Sequence, residues 1–240
     1  MKLLVLAGSG EARRLCHALQ NRDVVASLAG ATRDPDDLGV PTRVGGFGGA
    51  DGLQGYLRAQ GITHVIDATH PFAAQMTAHA ALACRAEGVA HLVLRRPGWG
   101  AVEGDQWHWV DHLEEAASLI PPKKTVFLAT GRQSLNALSN LAPRRVLARI
   151  IDPPDAPFPF EGGRYVIGKP PFSVEEELTF YRREEIDWVV VKNAGGAASY
   201  SKLAAARQLG LPVIIQRRPS LPAGVSAVET VRDTLAWIDQ

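Results

Sequence analysis

Short aliphatic runs alternate along the chain with helix-length segments whose apolar positions recur every three or four residues. Runs at 2–7, 23–28, 42–44, 64–68 and 90–94 read as strands, and segments 11–20, 51–60 and 72–87 as helices. Gly61 and Gly88 stand where the second and third of these helices should stop. Segment 95–106 loses the periodicity and carries Pro97, Gly98, Gly100 and Gly104, as a linker or crossover would. The alternation then resumes, with strands expected at 125–129, 145–151, 165–168, 188–192 and 213–216. Helices are expected at 113–120, 133–141, 174–185, 200–209 and 231–238, with a proline-rich break at 152–160. Apolar strands separated by helices of this length predict parallel sheets covered on both faces. The expected fold is α/β: two Rossmann-like parallel-sheet lobes, 1–98 and 99–240, with a ligand in an interdomain cleft.

Composition narrows the class of partner. The 240 residues are 46% hydrophobic and 21% charged, a globular balance that excludes wholesale disorder. Lys plus Arg number 26 against 25 Asp plus Glu, so no net field exists to hold nucleic acid or an anionic membrane. No apolar stretch reaches the ~18 residues of a membrane span, and residues 3–7 are too few for a signal-peptide core. Cys16 and Cys84 lack CxxC spacing and read as buried thiols of a cytoplasmic protein.

Candidate chemistry gathers where strands end. Gly8-Ser9-Gly10 follows the first strand and opens the first helix, where unpaired N–H groups and positive potential suit a pyrophosphate. The third glycine of G-x-G-x-x-G is replaced by Arg13, so a plain strand-to-helix turn is the alternative. After the second strand, Thr32 and Arg33 suit a 2′-phosphate and favour NADPH over NADH. Asp34 would reverse that preference if it held the ribose, and 33–37 read as a solvated loop is the other alternative. Asp67-Ala68-Thr69-His70-Pro71 ends the fourth strand and sets Thr69 and His70 at the nicotinamide end, with His70 as proton donor, orienting contact or satisfied structural group. In the second half, Ala129-Thr130-Gly131-Arg132, Lys192-Asn193-Ala194-Gly195-Gly196 and Tyr200-Ser201-Lys202 supply cations and N–H groups for a carboxylate-bearing ligand. Arg95, Arg96, Lys169, Arg217 and Arg218 also lie near strand ends.

Three patterns mislead. Tyr165 and Lys169 have Y-x-x-x-K spacing but lie on a strand, roughly 13 Å apart. His108 and His112 lack the glutamate of H-E-x-x-H, and no metal site is expected. No G-x-S-x-G or phosphate-loop motif occurs.

The segments GSGEA (8–12), DATHPFA (67–73), KNAGG (192–196), YSKLAAA (200–206), LGLPV (209–213) and RRP (217–219) span nearly the whole chain. In them the chain resembles the precorrin-6A reductases of cobalamin biosynthesis. The resemblance implies NADPH-dependent reduction of one double bond of a carboxylate-rich macrocycle, giving precorrin-6B by addition of hydride and proton. Under it, Gly8, Ser9, Gly10 and Glu11 would hold the cofactor with Thr32, Arg33, Thr69 and His70. Thr130, Lys192, Asn193, Gly195, Gly196, Tyr200 and Lys202 would hold the substrate. His70 or Tyr200 would deliver the proton, unless water does. Expected partners are the tetrapyrrole and other enzymes of the same pathway. Rival readings are a cobalt-precorrin-6A reductase and a non-catalytic dinucleotide-sensing module.

Overall fold

The computed structural model describes residues 1–30 and 36–240, so Thr32 and Arg33 lie outside the described residues. In chain order the elements begin β1 (Leu3–Leu6), α1 (Gly10–Ala18), β2 (Val24–Leu28), β3 (Thr42–Val44), α2 (Gly49–Gln60), β4 (His64–Asp67), α3 (Ala74–Glu87) and β5 (Ala90–Leu94). They continue as β6 (Gln106–Val110), the short α4 (Ala116–Leu119), β7 (Thr125–Ala129), β8 (Arg145–Ile150), β9 (Gly163–Ile167) and α5 (Val174–Arg183). The last are β10 (Trp188–Lys192), α6 (Ser201–Gln208), β11 (Pro212–Gln216), β12 (Ser226–Val228) and α7 (Val231–Ile238). Gly61 and Gly88 close α2 and α3 in left-handed conformations, φ 63° and 64°, as their sequence positions required.

Two compact units result: Met1–Pro97 with Pro219–Gln240, and Gly98–Arg218. The first holds a six-stranded sheet in the order β12-β5-β4-β1-β2-β3, and the second one in the order β6-β11-β10-β7-β8-β9. Every pairing is parallel. Both sheets follow the 3-2-1-4-5 order of dinucleotide-binding folds, with a sixth strand beside the fifth.

That sixth place explains where the structure departs from the expected division. The first sheet takes β12 from the end of the chain, and the second takes β6 from the segment just after β5. Residues 219–240 therefore do not stay with 99–218. Ser226, Ala227 and Val228 pair with Leu92, Val93 and Leu94, and Ile238 of α7 enters the core that holds Leu3 and Leu15. The pattern missed both strands. β12 is only three residues long, and β6 is an edge strand of sequence QWHWV rather than an aliphatic run. Segments expected as helices at 113–120 and 133–141 are 3-10 turns at Leu113–Glu115, Arg132–Ser134 and Asn136–Leu141, plus the single turn of α4.

Each sheet is buried on both faces, so its strands alternate between two cores. Leu3 and Val5 pack with α1 residues such as Leu15, whereas Leu4 and Leu6 meet Leu53 and Leu57 of α2 and Ala80 and Cys84 of α3. In the second unit Phe127, Leu147, Phe180 and Leu203 share one face, and Val126, Leu128, Leu135 and Leu138 the other. A charge pair is sunk beside the first of these. Arg149 donates to both carboxylate oxygens of Glu177 at 2.6 and 2.9 Å, and its guanidinium carbon lies 4.1 Å from the Phe172 ring.

Arg149→Met would leave the Glu177 carboxylate, 1% exposed, without its partner. The expected loss is about 3–5 kcal/mol in urea unfolding, largely regained in Arg149→Met/Glu177→Leu. A loss below about 1 kcal/mol in the single variant would contradict this account of the pair.

Candidate cofactor and substrate site

In the first sheet β1 and β4 are neighbours, and the chain leaves them in opposite directions, so a crevice opens beyond their C-terminal ends. Gly8 follows β1 with φ 149°, and a Cβ built on it would stand 4.0 Å from the backbone nitrogen of His70. A side chain there would narrow the space between the two loops, which is the space a pyrophosphate needs. Ser9 is the N-cap of α1: its hydroxyl accepts from the Ala12 N–H at 3.1 Å and donates to the Ala68 carbonyl at 2.7 Å. One side chain thus starts the helix and ties it to the β4 loop. The Gly10 N–H stands at the open end of the helix, whereas the Glu11 N–H bonds its own carboxylate. Geometry and donor set fit a dinucleotide phosphate.

Across the crevice, Asp67 is 1% exposed. It accepts from the Thr69 N–H at 3.0 Å, the Thr69 hydroxyl at 2.6 Å and the Thr77 hydroxyl at 2.6 Å. The Thr69 proton is therefore committed, and its oxygen faces other groups as an acceptor. His70 is exposed, and its Nδ1 accepts from the Phe72 N–H at 3.3 Å, which places the proton of the neutral ring on Nε2. A cavity of about 20 Å³, room for roughly one water, is lined by Asp67, Thr69, His70 and Arg95 among others. Arg95 donates from Nη2 to the Pro219 carbonyl at 2.9 Å, its Nε has no partner among the described residues, and burial holds its guanidinium below the ordinary range.

Glu11 faces arginines. Its carboxylate is ion-paired with Arg96 and, at 2.7 Å, with Arg14. Burial pushes the Glu11 carboxyl up, but the Arg96 charge and hydrogen bonds from Arg96 and Arg14 prevail and leave it below its ordinary value. The charge of a carboxylate in the first turn of α1 is thereby balanced, and Arg96 is held beside that turn.

The second sheet has its own crevice, where β7 and β10 are neighbours. Thr130, 6% exposed, follows β7; its hydroxyl has no partner among the described residues, and its carbonyl accepts from the Ser134 hydroxyl at 3.0 Å. After β10, Lys192 is half-buried, and burial pushes its ammonium down. The Asn193 amide grips the Trp99 backbone, accepting from its N–H at 2.8 Å and donating to its carbonyl at 3.1 Å. Trp99 Nε1 donates to the Gly196 carbonyl at 2.9 Å, and Arg218 donates to the carbonyls of Asn193 and Ala194 at 2.7 and 3.0 Å. Gly195 and Gly196 meet the turn with φ 68° and 79°. The Tyr200 ring lies 6.3 Å from Trp99 and 5.8 Å from the Arg207 guanidinium carbon. Lys202 donates to the Ser199 carbonyl at 2.6 Å and stands 5.5 Å from the Trp99 ring. Burial pushes its ammonium down to about 8, Glu177 works against that, and Arg149 adds to it.

The expected residues thus collect at two switch points: Gly8 to Glu11 with Thr69 and His70 in the first unit, and Thr130 with Lys192 to Gly196, Tyr200 and Lys202 in the second. Asp67 and Trp99 were missed as organisers. Each works through partners invisible in a local pattern, and Trp99 lay in the stretch read as linker.

Fold and crevices define a doubly wound, Rossmann-like α/β protein, with a second unit of the same design. The family model described as "Precorrin-6x reductase CbiJ/CobK" matches residues 2–239. The precorrin-6A reductase of Rhodobacter capsulatus is 45% identical over 99% of this chain and 95% of its own length. That of Rhodococcus erythropolis is 43% identical over 99% of this chain and 97% of its own. A solved structure titled CobK precorrin-6A reductase superposes with a TM-score of 0.94 at 45% identity, covering 100% of this chain and 96% of that one. The chain belongs to the precorrin-6x reductase family and is an oxidoreductase.

Lys202 gives a pH test. Its folded value of about 8 lies below the ordinary 10.5, so between these values the unfolded chain binds the extra proton. Its destabilising effect is full below about 8 and fades as pH rises towards 10.5. Relative to Lys202→Met, the urea midpoint of the native protein is expected to rise between pH 7.5 and 10.5; parallel profiles would contradict a buried ammonium.

Proposed function

We propose that this chain reduces one double bond of the precorrin-6A macrocycle with NADPH, giving precorrin-6B in cobalamin biosynthesis. The observation that carries the reading is the open start of α1 at the β1/β4 switch point, with glycines on one side and the Thr69–His70 loop on the other. Two relatives called precorrin-6A reductase, at 45% and 43% identity over almost the full chain, support the substrate. The cytoplasm is the proposed compartment, in keeping with two free, buried thiols, and the proposed partners include other enzymes of the pathway.

NADPH, when bound, supplies a hydride to one ring carbon, and a proton must reach the neighbouring carbon. The chain's own groups hold and orient. Gly8 leaves room for the pyrophosphate, the Gly10 N–H and the positive end of the helix hold it, and Ser9 fixes that helix end. The Glu11 side chain acts through Arg96. Thr32 and Arg33 are assigned to the 2′-phosphate. Thr69, fixed by Asp67, and the neighbouring His70 border the nicotinamide.

On the substrate side, Lys192 and Lys202 balance carboxylate arms, and Thr130, Gly195 and Gly196 offer a hydroxyl and N–H groups. Asn193 serves by shaping its loop, since its amide is engaged with Trp99. The proton comes from His70 Nε2 or the Tyr200 hydroxyl.

Purified protein incubated with NADPH and precorrin-6A should lose nicotinamide absorbance as the macrocycle gains two hydrogens by mass. No mass gain would end the reading. Replacing the true donor, through His70→Ala or Tyr200→Phe, is expected to lower kcat about 10²–10⁴-fold and to alter its pH profile. Full turnover and an unchanged profile in both variants would assign the proton to water.

A further inference from the structure

Arg43 lies on β3 beside the end of β2, in register opposite Ser27, with Val44 opposite Leu28. In this strand order a bound dinucleotide lays its adenosine half over the C-terminal end of β2, where NAD-selective folds place a carboxylate for the ribose hydroxyls. Here β2 runs out through Leu28, Ala29 and Gly30 without a carboxylate, and the register brings a guanidinium to its flank.

This guanidinium is fixed in place. Nη1 donates to the Ser27 hydroxyl at 2.7 Å and the Gly45 carbonyl at 2.8 Å, and Nη2 donates to the Gly46 carbonyl at 3.1 Å. The Phe47 ring lies 4.0 Å from the guanidinium carbon and the Tyr56 ring 5.3 Å. All these partners are neutral, and no carboxylate among the described residues pairs with Arg43. Of the five N–H groups of an arginine, Nε–H and the second on Nη2 remain. A half-buried cation held by neutral oxygens and an aromatic face is suited to a multiply charged oxyanion.

The neighbouring glycines support an approaching ligand. Gly45 has φ 118°, which by itself favours glycine. Gly46 is different: its φ is not positive, and a Cβ on it would meet nothing within 4 Å. Neither backbone conformation nor internal packing asks for glycine at 46, whereas a group seated against the main chain does.

We propose that Arg43, beside the uncrowded backbone at Gly46, holds the 2′-phosphate of the NADPH adenosine and so sets the preference for NADPH over NADH. The assignment rests on the NADPH reading above and adds to it a residue whose contacts are described.

The test is calorimetric binding of 2′,5′-ADP and 5′-ADP to the full chain, without turnover. The native protein is expected to bind 2′,5′-ADP at least about 10-fold tighter than 5′-ADP, a charge-assisted bond being worth ~1.5–3 kcal/mol. Arg43→Gln should cost 2′,5′-ADP about 10–100-fold while 5′-ADP changes less than about 3-fold, with Arg43→Lys between. Both affinities come from one preparation, so an unfolded fraction cancels in their ratio. Equal weakening of both nucleotides would reduce Arg43 to a brace for the Gly45–Gly46 turn and overturn the proposal, as would native discrimination in Arg43→Gln. If the native protein binds both nucleotides alike, the NADPH reading itself fails and takes the proposal with it.

Discussion

Burying a carboxylate costs several kcal/mol unless hydrogen bonds replace the lost water, and Asp67 meets that demand with groups from two further parts of the chain. Its oxygens draw the Thr69 N–H and hydroxyl inward, which sets the loop after β4, and the Thr77 hydroxyl, which anchors α3. The next residue, Ala68, presents the carbonyl to which Ser9 donates, and Ser9 caps α1. A continuous set of hydrogen bonds therefore runs from α3 through β4 to the start of α1. The position of the open helix end, and of anything bound there, depends on it.

The second unit solves the same problem with different groups. Asn193 and Trp99 lie 94 residues apart in the chain, yet the Asn193 side-chain amide makes two hydrogen bonds to the Trp99 backbone, and Arg218 bonds the carbonyl of Asn193 in the same loop. Neutral grips and carbonyl-bound guanidinium groups leave cations at the strand ends while the whole chain carries only +1. Local charge without a global field suits a small, acid-bearing ligand better than a polyanion.

Much of this was legible in the sequence because parallel strands buried on both faces write themselves as unbroken aliphatic runs. The runs at β1, β4, β7 and β10 placed all four loops that carry candidate chemistry. What escaped were edge strands, where burial is one-sided or the run is short: β6 with its Trp-His-Trp centre and three-residue β12. Missing β12 is why residues 219–240 were expected with the second lobe. In the site, residue types were readable but commitments were not. Ser9, Glu11, Asn193 and Lys202 all looked free to meet a ligand, and each has a side chain already engaged within the protein. The partners of Ser9, Glu11 and Asn193 lie up to 94 residues away and follow no local period.

The most direct measurement is amide hydrogen exchange of the full chain with and without NADP⁺. If the start of α1 seats the pyrophosphate, the peptide covering residues 8–12 and the one covering 68–72 should slow together on binding, ahead of any change in the second unit. Protection confined to residues 98–218, with 8–12 exchanging as in the free protein, would contradict the account.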